Sequence, residues 1–211
     1  MIYLEFLARW AHVLFGITWI GLLYYFNFVQ GEYFKEATAD AKSDALQKLA
    51  PRALWWFRWG AMLTFLTGLY LLAKLGGTVN GYIAVGALAG TIMFLNVWII
   101  IWPAQKIVCG IVEGDAATAA PKAGLASRTN TLLSGAMLMG MLGSKHGIPG
   151  GDASLPLSGG LSLGVILSLV IVFLLAVNGV KGKMGPMASV AGVSHCSIAL
   201  AIALFALMNY V

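Results

Sequence analysis

Apolar residues along this chain come in long runs, broken by short stretches that carry most of the charge. A bilayer core of roughly 30 Å takes about 20 residues of helix to cross. The runs predict spans over about 2–29, 53–75, 82–102, 125–144, 161–180 and 186–210. The predicted fold class is an all-α integral membrane protein. It is a single bundle of about six transmembrane helices covering residues 1–211. The breaks carry the expected punctuation. Gly76-Gly77 closes the second span, Pro103 stops or kinks the third, and a Gly/Pro-rich loop from Gly147 to Gly160 precedes the fifth. Between Gln30 and Arg52 lie four acids (Glu32, Glu36, Asp40, Asp44) and four bases (Lys35, Lys42, Lys48, Arg52). This stretch is rich in Ala and Leu and predicts a surface helix ending at Pro51. A second loop holds Glu113, Asp115, Pro121 and Lys122. No internal repeat is visible.

Composition sets the solvent. The 211 residues are 60% hydrophobic and 10% charged, with a mean hydropathy of +0.86. A soluble domain carries roughly 25% charged residues, so this surface is built for lipid. No length is left for a separate soluble domain. The net charge of +5 comes from loops, not from a basic patch with interleaved aromatics, which excludes nucleic acid. The same charges give a direction. Lys35, Lys42, Lys48, Arg52, Arg58, Lys106, Lys122, Arg128, Lys181 and Lys183 fall on one side, and only Arg9, Lys74 and Lys145 on the other. The positive-inside rule then puts both termini on the outer, periplasmic side of a bacterial inner membrane. The first run lacks a basic leader and a cleavage site, so it is expected to be a retained helix. Cys109 and Cys196 are not expected to pair. The absence of Cys-x-x-Cys-His excludes covalent c-type haem.

Polar groups at membrane depth are costly and mark function by default. They are Arg9, His12, Arg58, Asn96, Arg128, Asn130, Asn178 and His195, with His146 at the end of the fourth span. Counted from the predicted span ends, His12 lies roughly 15 Å and His195 roughly 14 Å from opposite faces, hence at one level. Two imidazoles at one level on facing helices are the ligand set of b-type haem. Gly16 and Gly192 leave room for a flat macrocycle. Arg9, one turn outward of His12, suits a haem propionate, unless it pairs with Glu5 across its own helical turn. Trp10 and Trp19 suit stacking on a cofactor. A buried histidine also serves as a hydrogen-bonded core residue, and the seven tryptophans also fit interfacial belts. Arg128 and Asn130, at the start of the fourth span, read equally as snorkelling and helix capping. Met137, Met139 and Met141 read as packing. No carboxylate cluster, phosphate loop, dinucleotide fingerprint or serine triad is present.

Four stretches carry a resemblance. They are Trp10-Ala11-His12-Val13 with Gly16 and Trp19-Ile20-Gly21; Leu54-Trp55-Trp56-Phe57-Arg58-Trp59; Asn96-Val97-Trp98-Ile99-Ile100-Ile101-Trp102-Pro103-Ala104-Gln105-Lys106; and Ser127-Arg128-Thr129-Asn130-Thr131-Leu132-Leu133-Ser134, followed by Ser144-Lys145-His146. Over about the first 150 residues the chain resembles the N-terminal membrane domain of bacterial membrane-bound urate oxidase (urate hydroxylase). The resemblance implies redox work coupled to a respiratory chain, with His12 and His146 as the motif histidines. The chain departs from the family in several places. It carries no C-terminal cytochrome c domain, has a shorter first loop and has six spans where about eight are usual. Gly60 stands where an acid is expected, and Gly135-Ala136 where a proline is expected.

The resulting expectation is a membrane-embedded electron-transfer subunit that binds haem b through His12. His195 is favoured as the second ligand by depth, and His146 by resemblance. Its partners would be a cytochrome c or quinone, and other subunits of a membrane oxidoreductase complex. A cofactor-free accessory subunit of a larger membrane complex is the alternative reading, and urate oxidation itself a further one.

Overall fold

The structure is a computed structural model that describes residues 2–149 and 151–211. Six long helices dominate it: α1 (Tyr3–Glu36), α2 (Ala39–Thr78), α3 (Gly81–Val108), α4 (Ala116–His146), α5 (Leu163–Lys181) and α6 (Val190–Tyr210). Among the described residues there is no strand, only an isolated bridge between Asn80 and Pro156. Five of the six, all but α4, are long and apolar enough to cross a membrane. Helix α4 is the least apolar of the six, enclosed along its middle and polar at its exposed ends. It packs against α1, α3, α5 and α6, and buries Ala123, Ala126, Thr129, Asn130, Ser134, Met137 and Gly140 among its residues. A helix walled in by protein has no need of a lipid-facing apolar surface.

Small residues let the helices close. A Cβ on Gly140 would meet the Tyr82 carbonyl oxygen at 2.6 Å and the Gly86 backbone at 2.7 Å, so α3 and α4 cross backbone to backbone. A Cβ on Gly60 would lie 3.2 Å from the Trp19 nitrogen, which marks the α1–α2 crossing. The acid expected there from the resemblance would fit only if α1 gave way by a few tenths of an ångström. Gly164 lies against Leu207 and joins α5 to α6.

Two prolines fail to end their helices. Helix α2 continues through Pro51, and α3 runs on past Pro103 to Val108. Each proline lies two residues beyond a π-helical turn, Ala45–Leu49 and Asn96–Ile101 respectively. Proline cannot donate to the carbonyl four residues back, and its ring crowds that carbonyl. A wider π turn at that point relieves both problems. The charged connector is therefore not a separate surface helix. Its first part extends α1 and its second part begins α2, with the break at Ala37-Thr38.

Helix α4 starts well before the expected span, so Pro121 and Lys122 are helical rather than in a loop. Its N-cap is Asp115, whose carboxylate accepts from the Ala117 N–H at 2.9 Å and from the Thr118 hydroxyl. The Thr118 hydroxyl, followed by the Ala117 N–H, holds the Asp115 carboxyl below the usual carboxylate range. The cap thus acts while the carboxyl is ionised and fails as pH falls through that lowered value. Hydrogen exchange at Ala117 to Ala119 is expected to speed up in Asp115→Ala at neutral pH. In the unaltered chain the protection factor, taken against the intrinsic rate at each pH, is expected to fall only on acidification.

Candidate functional site

His12 lies on the face of α1 that meets α2. Its Nδ1 lies 2.9 Å from the Thr64 carbonyl oxygen and 3.1 Å from the Thr67 hydroxyl. A carbonyl only accepts, so in the neutral ring Nδ1 carries the hydrogen and Nε2 keeps its lone pair. Thr64 and Thr67 are one turn apart on α2 and also hold each other, with the Thr67 hydroxyl 3.0 Å from the same carbonyl. Gly68 completes the seat, since a Cβ there would lie 3.0 Å from His12 Cε1. Sequence reasoning found His12 but not this cradle. The signal was Thr64-x-x-Thr67-Gly68, two hydroxyls and a gap on one helix face.

The other expected site residues fall elsewhere. Contacts between helices fix the levels. The Tyr24 hydroxyl meets Ser134 Oγ at 2.8 Å, and Asn27 meets Ser127 Oγ at 2.8 Å, so α1 and α4 run antiparallel. Twelve residues separate His12 from Tyr24, and twelve separate Ser134 from His146. His12 and His146 thus share one end of the bundle. The Gly135 N–H donates to Ser197 Oγ at 3.2 Å, which puts His195 near the Tyr24 level. That level is roughly 18 Å from His12 along the helix at 1.5 Å per residue. His195 is also exposed on the outer face of α6, two residues from buried Val193. The matched depth of His12 and His195 is therefore corrected. Helix α6 begins four residues later than its predicted span, which leaves His195 only about a turn and a half from its start, while α1 keeps its predicted start. His146 is exposed in the last turn of α4.

Arg9 pairs with Glu5 at 2.8 Å, and both side chains are about half exposed. Trp10 is exposed to 58%, a belt position rather than a cofactor wall. Trp19 is buried in the core two turns inward of His12, with its indole N–H unpartnered. Asn96 and Asn130 form a closed pair. Asn96 Nδ2 donates to Asn130 Oδ1 at 2.8 Å, and Asn130 Nδ2 donates to the Met93 carbonyl at 2.9 Å. Asn130 thus bridges helices and does not cap α4. Asn27 was not among the expected polar groups. It holds the Leu23 carbonyl just ahead of the π turn Tyr25–Gln30. Asn178 is local, donating to the Lys183 carbonyl at 3.3 Å.

The donor chemistry at His12 is that of a residue that could hold a haem iron through Nε2. A backbone carbonyl fixing Nδ1–H and leaving Nε2 free is the outer-shell arrangement that orients ligating histidines. The pair His12 and His195 does not fit, because the two rings lie at different levels and His195 faces away from the bundle. Among the described residues no group of three or more His, Cys, Asp or Glu side chains gathers as a metal site.

Against known proteins, the chain matches no family model, no curated protein and no solved structure. The likeness to the urate oxidase membrane domain rests on the motif residues alone.

Proposed function

We propose that this chain is a membrane-embedded redox subunit that binds haem b through Nε2 of His12. The observation that carries the reading is the Thr64 carbonyl on His12 Nδ1, which leaves a ligating nitrogen of fixed orientation. Haem supplies one-electron transfer when bound. The chain supplies the ligand and its orientation through Thr64 and Thr67, and close approach through Gly68. His146, at the same end of the bundle, is the second histidine for this site. All six helices cross the membrane in this reading, with both termini and the His12 end on the outer face, as the loop charges direct. A cytochrome c on that side, or a quinone in the bilayer, is the class of electron partner. A pyridine haemochrome assay on protein purified from haem-replete cells tests it. The expected result is about one haem per chain, and a ratio near zero overturns it.

A second reading rests on the same contacts. His12, Thr64 and Thr67 also work as a polar clasp between α1 and α2 in a cofactor-free subunit of a larger membrane complex. That protein would be colourless and would migrate with its partners on a native gel.

A further inference from the structure

We infer that Arg58 and Lys106, gathered on the indole of Trp102, form a binding site for a phosphate-type oxyanion. The site lies at the end of the bundle opposite His12. The Arg58 guanidinium lies 3.8 Å from the centre of the Trp102 ring, and Lys106 Nζ lies 5.8 Å from the same centre. Two cations thus share one ring, from α2 and α3. Two cations gathered on one ring favour a counterion beside them. No side chain supplies one: the ion pairs among the described residues are Arg9–Glu5, Lys35–Glu32 and Lys48–Asp44. Arg58 Nε is buried and has no hydrogen-bond partner. A guanidinium stacked on an indole uses its face and leaves its N–H groups pointing outward in the ring plane. That is the geometry in which arginine grips phosphate.

The surroundings suit a phosphate at membrane depth. Trp55, Trp56 and Trp59, on the same stretch of α2, are exposed to 46%, 59% and 38%. Trp59 meets Trp98 edge to face at 5.7 Å, which ties this belt to α3. Exposed tryptophan belts sit at the headgroup level of a bilayer. The phosphate of an anionic phospholipid is one source of such a ligand, and free phosphate is the other. The site does not depend on haem at His12.

Delipidated full-length protein in detergent would be titrated with dioleoyl phosphatidylglycerol, dioleoyl phosphatidylcholine or inorganic phosphate, followed by native mass spectrometry and tryptophan fluorescence. Phosphatidylglycerol is expected to bind more tightly than phosphatidylcholine. Arg58→Gln/Lys106→Gln should weaken it about 30-fold, and Lys106→Gln alone about 5-fold. Lys74→Gln/Lys145→Gln, which removes two charges elsewhere, should not. If inorganic phosphate binds with the same dependence and the lipid does not, the site stands with a soluble oxyanion as its ligand. Should the double variant fail to fold, the single variant decides. Anion binding equal to that of the unaltered chain in the Lys106 and double variants, or no anion binding at all, overturns the inference.

Discussion

Gly140→Ala is expected to force α3 and α4 apart and to be among the most damaging single-methyl changes in the bundle. The added Cβ would lie 2.6 Å from the Tyr82 carbonyl oxygen and 2.7 Å from Gly86 Cα and N. All three are backbone atoms, so no side chain can rotate away. The helices must separate, and α4 takes its contacts to α1, α5 and α6 with it. Overpacking of this kind costs typically 1–3 kcal/mol, and a backbone-to-backbone clash belongs at about 3 kcal/mol or above. Gly21→Ala is the control, because nothing lies within 4 Å of its added Cβ. An alanine there should be neutral or stabilising by about 0.5–1 kcal/mol, through helix propensity alone. Unfolding in a mild detergent, titrated with a denaturing one, compares the two. Equal midpoints for Gly140→Ala and the unaltered chain would contradict the crossing described here.

Asn130→Ala is expected to cost about 1–3 kcal/mol, the cost of a buried group left unpaired. It strands Asn96 Nδ2 and takes one of two donors from the Met93 carbonyl, which keeps the Asn96 backbone N–H. Interhelical hydrogen bonds in membranes average only about 0.6 kcal/mol, because the separated helices find other partners. This pair should exceed that average for a local reason. Asn130 is fully buried, and the Met93 carbonyl it holds lies on the turn leading into the π segment Asn96–Ile101. Asn96→Ala should also destabilise. The double variant should cost less than the sum of the two single ones, since it removes a donor and its acceptor together. Strictly additive costs would show that the two asparagines do not act as a pair.

Much of the helical order was legible in the sequence, because a lipid-facing helix must be apolar along its whole length. Helix α5 follows its predicted span within two residues at the start and one at the end. The loop-facing ends were less legible. Pro51 and Pro103 looked like stops, but a π turn two residues earlier absorbs each one, and hydropathy does not register a π turn. Helix α4 was expected as a span over 125–144, yet it is the one long helix not apolar enough to count as one. Its central position shows only in three dimensions, as does the reason for its modest hydropathy.

The candidate site divides in the same way. His12 stood out because a histidine deep in an apolar run is expensive. Its partners were ordinary residues, a backbone carbonyl and a threonine, which no composition argument selects. The depth comparison with His195 failed because it measured from the ends of apolar runs. Helix α6 starts four residues inside its predicted end, and α1 runs seven residues past its own, so run ends do not mark a common level. Only cross-helix contacts such as Tyr24–Ser134 and Gly135–Ser197 carry the register.

The central claim is that Nε2 of His12 ligates haem b, and a reduced-minus-oxidised visible spectrum tests it most directly. Protein purified from haem-replete cells should show the Soret and α-band changes of a b-type centre. His12→Ala should abolish them, His146→Ala should weaken or shift them, and His195→Ala should leave them intact. A flat spectrum in the unaltered protein, or a full haem spectrum in His12→Ala, would contradict the account.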